Sequence, residues 1–203
     1  MIGIGDSGLG VREETAHADS REDAVLVLCL GNDILRDDGV GWAIADELET
    51  GLSVPRTPNP QSPIPTAESR IPNPESRPFV VKRSALSGFY LLDELTGWDV
   101  VVVVDAVRTG AHAPGTVLSF PFEALRTEAG PSPHAVGLPT VVALGRQSGV
   151  PLPDAIHIVA IEVDDMESFC EGLTPAVRDA VPKAVDLIRA LMVRASAPVG
   201  AAV

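Results

Sequence analysis

Five consecutive valines, Val100 to Val104, admit few structures. β-branched side chains favour extended backbone, and side chains on a strand alternate between its two faces. A strand of this composition has no face suited to water, so it belongs in a sheet covered on both sides. Ala24 to Leu30 is a second continuous apolar run, ending at Gly31. Ala155 to Ile161 is a third, broken only by His157, and Phe79 to Val81 a short fourth. Thr116 to Phe120 reads as a weaker strand at an edge.

Between these runs the period changes to that of a helix. Val40, Ala43, Ile44, Glu47 and Leu48 have helical spacing, as do Phe89, Leu92 and Leu95, and 136–144 carries a similar pattern. Thr174 is suited to cap a last helix, with Pro175 at its first position, where a missing N–H costs nothing. Val177, Val181, Val185, Ile188 and Met192 form its apolar stripe, and Pro182 inside it predicts a kink. Strands alternating with helices predict an α/β fold of three layers, α/β/α, around a mostly parallel central sheet.

Three segments stand apart. Residues 1–22 are polar and aperiodic and read as a flexible leader. Residues 54–78 hold eight of the 18 prolines, repeat Pro-Asn-Pro and Glu-Ser-Arg, and lack core residues. They read as an extended insertion, with a ligand for a proline-binding module as the alternative. Residues 195–203 read as a loose tail. The remainder, within 23–194, suits one domain.

Formal net charge is −13, which offers phosphates no basic face and argues against nucleic acid as a partner. No apolar run reaches the roughly 20 residues that span a bilayer, so no membrane partner is expected. Two cysteines, Cys29 and Cys170, are too few for a disulfide scaffold or a cysteine-based zinc site. With no basic, apolar leader of the secretory kind at the start, the cytoplasm is the expected compartment.

Ligands of open α/β sheets sit beyond the carboxyl ends of the strands. After the first strand comes Gly31-Asn-Asp-Ile-Leu-Arg-Asp-Asp-Gly-Val-Gly41. It is neither a P-loop nor a dinucleotide fingerprint, which counts against a nucleotide-binding reading. Its glycines permit close backbone approach. Asp37 and Asp38 there either complement a helix dipole or carry chemistry. Asp105 follows the five valines, where a carboxylate must be solvated, paired or metal-bound; alternatively it caps the following turn. His134 precedes the 136–144 helix. Asp38, Asp105 and His134 together make either a site for a divalent transition ion or a carboxylate pair sharing a proton. Spacing alone leaves both open. His112 and His157 lack partners at metal-ligand spacing, Cys29 reads as inert packing, and no Gly-x-Ser-x-Gly is present. The acidic group Glu162, Asp164, Asp165, Glu167 and Glu171 reads as a solvated loop.

Four blocks in order, 26–41, 101–117, 132–138 (Ser-Pro-His-Ala-Val-Gly-Leu) and 172–177 (Gly-Leu-Thr-Pro-Ala-Val), resemble the hydrogenase maturation endopeptidase family. The resemblance implies a twisted, phosphorylase/hydrolase-like sheet between helices. It implies an aspartic-type endopeptidase that removes the C-terminal extension of the [NiFe]-hydrogenase large-subunit precursor once nickel is installed. It assigns metal contact, and with it catalysis, to Asp38, Asp105 and His134. The nickel is expected mainly as an ion bound in the substrate, with no organic cofactor. The alternative use of the same residues is a non-catalytic, nickel-dependent chaperone for that precursor. The leader and the insertion have no counterpart in the family pattern, and in Ser84 to Phe89 only Gly88 matches its glycine-rich turn.

Overall fold

The structure, a computed structural model, describes residues 24–52, 79–125 and 137–195. The leader 1–22, the insertion 54–78 and the tail beyond Ala195 lie outside the described residues. The elements are β1 (Val25–Leu30), α1 (Val40–Leu52), β2 (Phe79–Ser84), α2 (Leu91–Leu95), β3 (Val100–Val107), β4 (Val117–Pro121), α3 (Leu138–Gln147), β5 (Ala155–Glu162), α4 (Pro175–Arg178) and α5 (Val181–Ala195). The strands form a five-stranded sheet in the order β2-β1-β3-β5-β4. All neighbours pair in parallel except β4, which runs antiparallel to β5 at the edge.

The valine run sits where its composition requires. Val101 to Val104 are at most 2% exposed in a strand flanked on both sides. On one face Val102 and Val104 join Val25, Val27 and Val159 beneath Ile44 and Leu48 of α1 and Val185 and Ile188 of α5. On the other, Val101 and Val103 join Leu26, Leu28 and Ile158 beneath Leu91 and Leu95 of α2 and Val142 of α3. Burying each such side chain contributes roughly 1.5–3 kcal/mol before entropy is counted. These are the three predicted layers.

Three expectations change. The last helix is two helices, not one kinked at Pro182. α4 ends at Arg178 and α5 begins at Val181, with Pro182 in its first turn. A proline lacks only a donor that the first turn leaves unbonded anyway, so the chain restarts a helix there instead of bending one. Phe89 lies in a 3-10 turn (Gly88–Tyr90) ahead of α2 and is 63% exposed, off the apolar stripe. β3 runs two residues past Asp105, so that carboxylate stands inside the strand and not after it.

Candidate active site

In the order β2-β1-β3 the chain leaves β1 for one side of the sheet and returns through β3 on the other. The crevice beyond the carboxyl ends of β1 and β3 is thus the topological switch point, where open α/β sheets bind ligands. Asp38 and Asp105 both belong to that end of the sheet.

The loop after β1 is folded back on itself. Gly31 has φ +144°, and a Cβ there would stand 2.1 Å from the carbonyl oxygen of Asp38. The Asn32 N–H donates to that same oxygen at 3.3 Å, and the Asp38 N–H donates to Leu35 O at 2.9 Å. A 3-10 turn, Arg36–Gly39, then leads into α1 and packs against β3. Asp37 and Asp38 on this turn are both buried.

The two aspartates differ in their surroundings. Asp37 Oδ1 accepts the Thr174 N–H at 2.7 Å, and its Oδ2 accepts the Thr174 hydroxyl at 3.0 Å and the Asp165 N–H at 3.3 Å. The Asp37 N–H returns a bond to Asp165 O at 3.0 Å. Asp37 therefore clamps the loop after β1 to the loop after β5. The helix-dipole reading of the acidic pair understates it, since these bonds are to a remote segment. Asp38, next to it on the same turn, is 3% exposed.

Asp105 is 2% exposed. It lines a small apolar cavity of about 30 Å³ with Leu30 of β1, Val103 and Ile158. Leu138, the first residue of α3, closes the same cavity. His134 lies outside the described residues; Gly137, three positions on, starts α3 with φ +94°. Among the described residues no three His, Cys, Asp or Glu side chains are grouped to hold a metal ion.

The remaining histidines and cysteines join no group of three that could hold a metal ion among the described residues. His157 bonds the Ser119 hydroxyl at 2.9 Å across β4 and β5, and burial lowers its pKa. His112 is exposed in the loop after β3. Cys29 is buried within β1, and burial pushes its thiol pKa up to about 12. Cys170 is exposed.

Glu162 is 1% exposed, not part of a solvated loop. Its carboxylate accepts the N–H groups of Thr109 and Gly110 at 2.7 and 2.8 Å and the Thr109 hydroxyl at 2.6 Å. It shapes the turn after β3. Its signal in the sequence is the one that marked Asp105: a carboxylate at the end of an apolar run.

A doubly wound sheet with two buried carboxylates at its switch point has the architecture of an α/β enzyme. Comparison with known proteins gives the kind. The family model for the hydrogenase maturation protease HycI matches residues 85–191, a span that includes Asp105 and begins after the Asp38 loop. The chain belongs to the hydrogenase maturation protease family, and is a peptidase. It is 25% identical over 175 residues to the hydrogenase 2 maturation protease of Escherichia coli K12, covering 83% of this chain and 90% of that protein. The fold is similar to that of the hydrogenase maturating endopeptidase HybD from E. coli, at TM-score 0.61 and 23% identity over 85% of this chain and 93% of the other. An E. coli endopeptidase solved in solution superposes at TM-score 0.64 and 24% identity over the same shares. Among the described residues no helix is long and apolar enough to cross a membrane.

Proposed function

We propose that the chain is an endopeptidase that removes the C-terminal extension of the nickel-loaded [NiFe]-hydrogenase large-subunit precursor in the cytoplasm. The observation that carries the reading is the burial of Asp38 and Asp105 at the switch-point crevice of a chain in this peptidase family. Two hard oxygen donors and the imidazole of His134 suit a borderline divalent ion such as nickel. The ion belongs to the substrate. In this reading Asp38, Asp105 and His134 reach toward nickel already held by the precursor, so an unloaded precursor lacks the group they recognise.

Hydrolysis adds water across the peptide bond. The oxygen attacks the carbonyl carbon, the C–N bond breaks, and the leaving amine takes up a proton. A carboxylate beside the attacking water can accept its proton, and the substrate's ion can polarise the water or the carbonyl. Specificity then rests on the presence of nickel more than on a deep side-chain pocket.

The test is mass spectrometry of the large-subunit precursor expressed with and without this protein, in nickel-replete and nickel-starved cells. A short C-terminal peptide is lost only when both protein and nickel are present. Asp38→Asn and His134→Ala each slow this loss by roughly a hundredfold or more while the variant stays folded. Full processing by either variant excludes the assignment. A stable complex with no change in mass would instead mean a chaperone.

A further inference from the structure

Phe169 is 84% exposed, the highest value among the exposed large apolar residues described, and Ile34 is 50% exposed. Neither is on a loose tip. Leu35 and Cys170 form a parallel β-bridge, with the Cys170 N–H donating to Ile34 O at 3.1 Å and the Arg36 N–H to Cys170 O at 3.0 Å. In that register Ile34 and Phe169 stand side by side on neighbouring segments. Arg36 is held at φ +40°, an uncommon conformation for a residue other than glycine. Beneath the bridge the buried Asp37 carboxylate ties the same two loops together. The fold thus holds two large apolar side chains in water on a rigid support, where a mobile loop could have turned them inward.

Their position and surroundings specify what covers them. Ile34 is four residues before Asp38, on the loop that carries it, so the pair is continuous with the candidate active site. Asp164, Glu167 and Glu171 are exposed on the Phe169 loop and Asp165 is half-buried there; Arg108 pairs with Glu167 at 2.7 Å and lies near Asp164, and Arg36 pairs with Asp165 at 3.7 Å, so four carboxylates face two arginines and the margin stays acidic. The complementary surface is apolar at its centre and basic at its margin. An aromatic anchor ringed by charge is the usual form of a contact that dominates a protein interface.

We infer that Ile34 and Phe169, set on the Leu35–Cys170 bridge and rimmed by acidic residues, form a docking surface for an apolar, basic-edged patch on the folded client. The inference rests on the endopeptidase reading for the client's identity, as the large-subunit precursor. It adds recognition of protein surface beyond recognition of the ion.

The experiment measures binding and cutting separately. Affinity for the nickel-free precursor, which is not cut, is measured on the parent protein with and without Phe169→Ser, and cleavage of the nickel-loaded precursor is measured on Phe169→Ser alone. Phe169 is exposed, so the substitution leaves the fold intact, and Ile34→Ser serves as a second variant. Expected is a Kd weakened about tenfold by either change, a further loss on raising salt, and a cleavage defect carried by KM and not kcat. Cleavage by the parent protein together with an unchanged Kd in both variants overturns the docking surface and leaves the endopeptidase standing. A self-associated protein that Phe169→Ser makes monomeric also overturns it, because the occupant is then a second copy. A precursor that the parent protein neither binds nor cuts overturns the endopeptidase reading and this inference with it. Binding that depends on Phe169 with no cutting overturns only the endopeptidase.

Discussion

Asp37 and Asp38 are chemically identical neighbours, both buried on one turn. Asp37 takes three hydrogen bonds from Thr174 and Asp165, segments more than 120 positions away in the chain. Asp37→Ala leaves the Thr174 and Asp165 N–H groups without that acceptor. The expected loss is about 2–4 kcal/mol, read as a shift in the denaturant midpoint. Asp165 itself sits below its ordinary pKa because the Ser168 hydroxyl, and then the Ser168 N–H, donate to it. His157 provides a second prediction. Burial lowers its pKa below the ordinary 6.5, so the unfolded chain binds its proton more readily than the folded one. The stability it contributes is complete above pH 6.5 and is lost as pH falls through the lower folded value. Between about pH 7.5 and about pH 5.5 the melting temperature of the parent protein therefore falls further than that of His157→Gln.

At the scale of elements, the loop-to-helix passage after β1 is set by backbone contact. Gly41 is the second residue of α1 and has ordinary helical geometry, so its demand is for space alone. A Cβ there would lie 2.1 Å from the carbonyl oxygen of Leu30. Gly41→Ala must push α1 away from the end of β1. It is expected to cost about 3 kcal/mol or more, measured by urea unfolding, and to lower processing because Asp38 rides on the displaced turn. The glycines of this loop were readable in the sequence as places of close approach. The edge position of β4 was readable too, from its weaker apolar run. The break between α4 and α5 was not, because the apolar stripe from Val177 to Met192 continues across it. The stripe records which side chains are buried, and two short helices can bury them as well as one.

At the scale of the whole molecule, the sheet divides the core into two clusters, and the cysteines report on it. Cys29 belongs to the cluster beneath α1 and α5, while Cys170 is on the surface. N-ethylmaleimide should add one label to the folded protein, on Cys170, and two after denaturation, read by intact mass. Rapid labelling of Cys29 in the native protein would mean that β1 is not the buried strand described.

The sequence by itself determined the layers. Runs such as Val100 to Val104 cannot be solvated on either face, and strands alternating with helical periods leave a parallel sheet as the economical arrangement. It also marked Asp105 and the Asp37–Asp38 pair as carboxylates beside apolar runs, the former two residues short of where its strand ends. Only the tertiary structure decided what Asp37 and Glu162 hold. Which of two adjacent aspartates is a clamp depends on Thr174 arriving beside it, and whether Glu162 is solvated depends on the turn at Thr109 and Gly110. Those pairings join distant parts of the chain, and local composition carries no record of which distant donor meets which acceptor. The same holds for Ile34 and Phe169: each is unremarked alone, and only the bridge between Leu35 and Cys170 sets them side by side in water.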